Sequence, residues 1–262
     1  ITPLEMDMEM HMFGVMRAFT DDFTFMAMLP YIRNEMDHRT MGGTEFTTNS
    51  EGLGDLKFTG LYRLHEWNRQ QIHLNAGISF PTGSIDEKDT TPMGRVTLPY
   101  PMQLGSGTFD VHPGITYLGQ TDRLSWGAQL NGTFRLGSND EGYSLGERGE
   151  LTGWGAWKIN GWFSVSGRLD GLIWGNIDGE DNRFAAAPVP TAKNDLRGGQ
   201  RIDAHVGLNF YIREGFLRGH RIAVEYGQPI YQDLDGPQLE VDHVFTIGWQ
   251  YAFLGGKRFR EQ

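Results

Sequence analysis

The feature that most restricts this chain is an alternation of apolar and polar residues with period two, carried over segments much longer than an ordinary strand. Side chains along a strand point alternately to its two faces, so each such segment has one apolar and one polar face. In 71–82, Ile72, Leu74, Ala76, Ile78 and Phe80 share one face, and His73, Asn75, Gly77, Ser79 and Pro81 the other. From Ile202 the pattern repeats, with Ile202, Ala204, Val206, Leu208 and Phe210 against Asp203, His205, Gly207, Asn209 and Tyr211. Eleven segments read this way, at 4–18, 23–38, 53–66, 70–82, 107–118, 123–136, 148–159, 162–176, 200–212, 219–232 and 238–253. Globular strands average about 5–6 residues, whereas a tilted strand that crosses a bilayer needs about 9–11. Sustained helical periodicity is absent, and so is any run of about 18 apolar residues that could cross as a helix.

The connections alternate in length. Short ones fall at Thr20–Asp22, Trp67–Arg69, Gln120–Asp122, Asn160-Gly161 and 213–219, and long ones at 39–52, 83–106, 137–147, 177–199 and 233–237. Transmembrane barrels have tight turns on the periplasmic side and longer loops outside. Aromatics recur near segment ends, at Tyr31, Tyr62, Phe80, Tyr117, Phe134, Trp249 and Phe253, as interfacial girdles do. A soluble barrel with its apolar face inward is the competing reading; strand length, loop asymmetry and aromatic placement argue against it. The sequence therefore predicts an all-β protein: one transmembrane antiparallel β-barrel domain over 1–262, set in a bacterial outer membrane. Parity sharpens the expectation. The first and the eleventh segments both run toward the periplasm, while bacterial barrels are antiparallel with an even strand number. About twelve strands are expected, one of them upstream of Ile1. The start, Ile1-Thr2-Pro3-Leu4, has neither the charged nor the apolar region of a signal peptide.

The net charge of -10 argues against a nucleic-acid partner, because phosphate binding needs a basic face. The absence of Cys excludes disulfides, thiolate metal sites and a Cys nucleophile. No Ser/His/Asp constellation, phosphate loop or metalloprotease helix is recognisable, so no enzyme is expected; His220 and His243 fall with the lipid-facing set. As a lumen wall, the polar face would carry Arg63, His73, Asp110, His112, Arg135, Arg168, Asp170, Asp203, His205, Arg221, Glu225 and Asp242. Buried charges must pair or be hydrated. They would form either an inward ladder of salt bridges or a pore lining that selects solutes. On the same face Gly77, Gly114, Gly127, Gly207, Gly227 and Gly248 would leave room for a pore.

The start of the chain is unusual. Leu4 to Met16 reads LEMDMEMHMFGVM, with Met6, Met8, Met10 and Met12 on one face and Glu5, Asp7, Glu9 and His11 on the other. A two-residue hairpin through Thr20-Asp21 would set Met12 opposite Leu29 and Met16 opposite Phe25. The methionines would then face lipid as adaptable apolar residues. The lumen would hold Glu5, Asp7, Glu9 and His11, with Met26 and Met28 below. Thioethers suit Cu(I), and His and carboxylates suit Cu(II). A copper site drawn from those four residues with Met26, Met28, Met36 and His38 is the second reading; no other cofactor is expected.

Three runs carry a resemblance: Glu51-Gly52-Leu53-Gly54-Asp55-Leu56 with the Tyr62 strand, Ala76 to Gly83, and Gln103-Leu104-Gly105-Ser106-Gly107 followed by Asp110 and Pro113-Gly114. They resemble the outer-membrane family described as "meta-pathway of phenol degradation" proteins. The Met-rich start and Met36-Asp37-His38, taken as a turn, look like one branch of it. The resemblance covers most of the chain. It implies an outer-membrane barrel that passes small solutes, hydrophobic or aromatic ones among them, and supplies no catalytic residues. Proteins like this usually have a strand before the Met-rich one. The expected function is a passive channel with loops 83–106 and 177–199 gating its mouth, and with outer-membrane lipid and a small solute as partners. The alternatives are a metal-handling outer-membrane protein and a plugged barrel acting as a structural partner in a homo-oligomer or membrane complex.

Overall fold

A computed structural model describes residues 1–184 and 189–253. The strands are β1 (Thr2–Ala18), β2 (Phe23–Arg39), β3 (Glu45–Leu53), β4 (Leu56–Trp67), β5 (Gln70–Phe80), β6 (Lys88–Thr91), β7 (Gly94–Thr97), β8 (Phe109–Gln120) and β9 (Leu124–Leu136). They continue with β10 (Tyr143–Ser144), β11 (Arg148–Lys158), β12 (Phe163–Trp174), β13 (Asp178–Gly179), β14 (Gly199–Tyr211), β15 (His220–Leu234) and β16 (Val244–Tyr251). One antiparallel sheet runs β1-β2-β4-β5-β8-β9-β11-β12-β14-β15-β16, with β3 also paired to β2. β6 pairs β7 and β10 pairs β13 outside this sheet.

Two expected boundaries are corrected. The segment 39–52 is not a long loop: Arg39 pairs Glu45 across a tight turn at Thr40–Thr44, and β3 continues the line of β4 past a break at Gly54-Asp55. Met36-Asp37-His38 accordingly lies in β2, not in a turn. The last strand starts at Val244, so Asp242 lies in the coil before it, exposed, and is not a lumen-wall residue.

The two faces follow the alternation. Leu151, Leu169, Val206 and Ile247 point outward and are 59, 55, 67 and 67% exposed. So much exposed apolar area is stable only against lipid, since soluble monomers rarely leave a contiguous apolar patch above a few hundred Å². Outward aromatics gather near the periplasmic turns, where Trp162 packs with Phe163 and Phe210, and Trp249 with His220. A second aromatic row, Phe58–Phe80–Phe109, lies toward the other end. The inward face alternates with this set: Ser79, Asp110, Thr116, Thr152, Asp170, Asp203 and His205 are all buried.

The register of β1 on β2 overturns the expected direction of the methionine stripe. Met12 lies opposite Pro30 and Met16 opposite Met26, because Phe19 N–H bonds to Phe23 O and the turn it closes holds three residues, Thr20 to Asp22, and not two. A slip of one residue transfers every side chain to the other face. Met6, Met8, Met10, Met12 and Met16 therefore share the face of Met26, Met28, Asn34, Met36 and His38. That face looks inward, since Met28 pairs Lys57 and Met26 pairs Thr59 of the polar wall. Glu5, Asp7, Glu9 and His11 stand on the outer face, beside Asp37, Glu35, Arg33 and Tyr31. Charge is affordable there because β1 and β2 are 17 residues long, several more than the ~9–11 a bilayer needs, so their upper ends stand clear of the hydrocarbon.

β1 and β16 are the two edges of the sheet and do not pair with each other among the described residues. They run in the same direction, so antiparallel closure requires an odd number of further strands between them.

Candidate functional site

The inward face carries two charged clusters. In the upper one, Asp110 at the start of β8 pairs with Arg135 at the end of β9. Thr108 Oγ1 donates to Asp110 Oδ1 at 2.6 Å, and Ser79 and Ser106 hydroxyls donate to Oδ2 at 3.2 and 3.1 Å. His112 bridges Ser79 and Thr133, each at 3.1 Å. In the lower cluster Arg168 of β12 pairs with Asp170 and, at 2.5 Å, with Glu225 of β15. His205 of β14 lies between them, 3.6 Å from Asp170 and 3.4 Å from Glu225. Asp203 is held by Arg201 at 2.9 Å. The other expected wall residues lie apart from both clusters: Arg63 pairs Asp22 at 2.8 Å and Glu66 at the periplasmic end, and Arg221 donates to Asn209 at 2.8 Å. His73 faces Arg63 across β4–β5, its Nε2 buried without a hydrogen-bond partner among the described residues.

The inward glycines do not leave the room expected of them. A Cβ on Gly227 would collide with the His205 ring, and one on Gly127 with the Trp154 indole. These glycines are seats for neighbouring rings. Only at Gly248 is the space open, with Ala223 Cβ the nearest atom at 4.0 Å.

Space remains lower down. A cavity of about 660 Å³ is lined by Glu66, Arg168, Arg221, Glu225, Glu150 and Trp154 among others. A second, of about 580 Å³, lies among the periplasmic turns and shares Arg69, Gln120, Ser125, Asn209 and Arg221 with it. Glu150 and Trp154 were missed by the sequence reading. Cross-strand partners identify them, because on β11 the apolar face is diluted by Gly149, Gly153 and Gly155 and a tryptophan stands on each face, Trp157 outward and Trp154 inward.

At the extracellular end the long loops pack on one another and on the inner wall, and one carboxylate anchors loop 83–106. Asp55, at the β3–β4 break, accepts Gly83 N–H at 2.9 Å, Ser106 N–H at 2.8 Å and the Ser106 hydroxyl at 2.9 Å. Thr82 Oγ1 donates to Gly54 O at 2.9 Å and accepts Leu56 N–H at 2.9 Å. Gly83 and Gly105 touch backbone to backbone, with no room for a Cβ on either. The three family-like motifs thus meet in a clasp at both ends of loop 83–106.

From this clasp the loop reaches across the mouth. Leu98 and Met102 pack on Met36 and Met6 of the inner wall, and Ser50 Oγ donates to Met102 O at 2.6 Å. Tyr100 packs with Tyr143, Ile177, Phe184 and Ala192, residues from two other loops. Arg183 ties the same loops electrostatically: it pairs with Asp181, Asp86 and Glu141 and donates to Ile85 O. Asp181 is completely buried, and its hydrogen bond holds the Arg183 guanidinium well above its ordinary pKa. Burial pushes the Tyr143 phenol up to about 12, and raises Tyr100 as well.

The expected metal set does not form one site. Glu5, Asp7, Glu9 and His11 are outside the sheet, while Met26, Met28, Met36 and His38 are inside. Among the described residues no group of three or more His, Asp or Glu is placed to hold a metal ion.

The family model described as "Putative MetA-pathway of phenol degradation" matches residues 5–210. The chain belongs to this family. A solved structure of the COG4313 outer membrane channel from Pseudomonas putida F1 is similar in fold, with a TM-score of 0.61 at 15% identity, covering 92% of this chain and 81% of that one. OmpT, an outer membrane protein of Vibrio cholerae, aligns at a TM-score of 0.43 and 10% identity, over 94% of this chain and 95% of that one, too distant to add to this. None of the curated proteins matches the chain in sequence. The match spans the clasp motifs and nearly all of the Met-rich strand. The fold and its lipid-facing surface place the protein in a bacterial outer membrane.

Proposed function

We propose that the protein is a passive outer-membrane channel for small solutes that combine an apolar or aromatic part with a polar group, with the extracellular cap as its gate. The observation that carries this reading is the polar cavity that runs from the periplasmic turns up to Glu150 and Thr152. Its lining interleaves Arg69, Arg168 and Arg221 with Glu66, Glu150 and Glu225. Paired charges of both signs hydrate a path without strong preference for either ion sign, and Trp154 offers a face on which an aromatic ring can stack. The family description and the solved channel of similar fold support the same reading. Liposome swelling tests it: benzoate-sized solutes should enter proteoliposomes faster than sugars twice their size, and equal, background-level entry of both would reject it.

The cap's own apolar core favours a second reading, a closed barrel that serves as a structural partner in a membrane complex. A variant with a loosened cap separates the two, because only a channel gains conductance from it.

A further inference from the structure

Elsewhere the inward wall is polar, yet on β1 and β2 it is built from thioethers. Five methionines of β1 and three of β2 lie on this one face, and Met102 joins them from the cap, so nine of the eleven methionines in the chain meet here. The other two, Met41 and Met93, sit exposed at turn tips. At the top of the face Met36 and Met102 are 1 and 0% exposed and pack with Met6 and Leu98. Flanking Met36 on the same face, Asn34 and His38 are buried, at 0 and 4% exposure. His38 Nε2 meets Thr48 Oγ1 at 2.9 Å. Its Nδ1, and Asn34 Oδ1, have no hydrogen-bond partner among the described residues. Buried polar atoms without partners are costly, and two beside three sulfurs point to a missing ligand.

We propose that this face binds a soft monovalent cation of the Cu(I) or Ag(I) class, with Met6, Met36 and Met102 as thioether ligands and the His38 imidazole beside them. Thioether sulfur selects such ions over hard or borderline divalent ones, and the absence of a cluster of carboxylates and imidazoles among the described residues removes the competing hard site. Below the top site Met8, Met10, Met12 and Met16 follow along β1 and Met28 and Met26 along β2. Met6, Met8, Met10 and Met12 follow at two-residue steps, about 6.6 Å of strand, and Met28 stands across from Gly14 before Met16 and Met26 pair, so an ion released from one donor meets the next. Apolar packing alone would be served equally by leucine, and it leaves the unpartnered His38 Nδ1 and Asn34 Oδ1 unexplained.

The full chain, folded in detergent micelles with its methionine methyls labelled with carbon-13, is titrated with silver nitrate and, separately, with zinc sulfate. Silver should shift the Met6, Met36 and Met102 methyl resonances saturably and leave Met41 and Met93 in place; zinc should shift none. Replacing the three residues with leucine should weaken silver binding at least about tenfold, while Met41→Leu with Met93→Leu should not change it. Unmoved Met36 and Met102 resonances in the unsubstituted protein, or equal affinity in the triple-leucine variant, would overturn the proposal. The methyl spectrum decides even if the triple variant fails to fold.

Discussion

A single carboxylate, Asp55, accepts three hydrogen bonds from residues 28 to 51 positions away and so fixes both ends of loop 83–106 to the wall. Hydrogen bonds to a charged acceptor are worth about 1.5–3 kcal/mol each. Asp55→Asn keeps the shape and removes the charge. The expected result is faster tryptic cleavage at Lys88 and Arg95 in the β6–β7 hairpin, with the barrel strands still protected, read by mass spectrometry of the fragments. Arg183 plays the matching part at the far side of the cap. Arg183→Ala leaves Asp181, 0% exposed, without its charge partner; breaking a buried pair costs about 3–5 kcal/mol. The cap is expected to open while the sheet stays folded, because every partner of Arg183 lies in a loop.

At the scale of the element, the strands were legible because a two-residue period with a lipid-facing side leaves few alternatives. Leu130, Leu151 and Gly171 stand side by side on the outward face, as the alternation requires. Leu151→Arg should therefore cost about 2–4 kcal/mol near the bilayer midplane, whereas Ser125→Arg, at the lumenal cavity, should cost far less. Urea titration of the folding equilibrium in lipid vesicles checks the difference. The direction of the methionine stripe was not legible, since it depends on whether the Thr20 turn holds two residues or three, and one residue inverts a face. Nor was the role of Gly127 and Gly227, whose missing side chains are filled by Trp154 and His205 from neighbouring strands. The alternation marks Asp110, Arg135, Arg168, Asp170, Asp203, His205 and Glu225 as sharing the polar face, but it misplaces Asp242, passes over Glu150, and does not show the grouping into an Asp110 cluster and an Arg168 cluster, which follows from cross-strand register. The clasp motifs were recognised as short runs; that they meet at one carboxylate is a fact of the folded chain.

At the scale of the molecule, the sheet is a polar-lined wall with an open lower cavity and a folded cap above it. Burial raises the Tyr143 phenol from 10.0 to about 12, so the folded cap favours the neutral hydroxyl. That contribution to cap stability is complete below pH 10 and is lost as the pH climbs through about 12. Conductance should therefore rise between these two values and fall back on return to neutral pH, and Tyr143→Phe should flatten the response. The most direct measurement of the whole account is single-channel recording in a planar lipid bilayer, comparing the unsubstituted protein with Arg183→Ala at neutral pH. Brief, small openings are expected in the first and a larger, long-lived conductance in the second. A bilayer that stays silent with both proteins, each verified as inserted and folded, would contradict it.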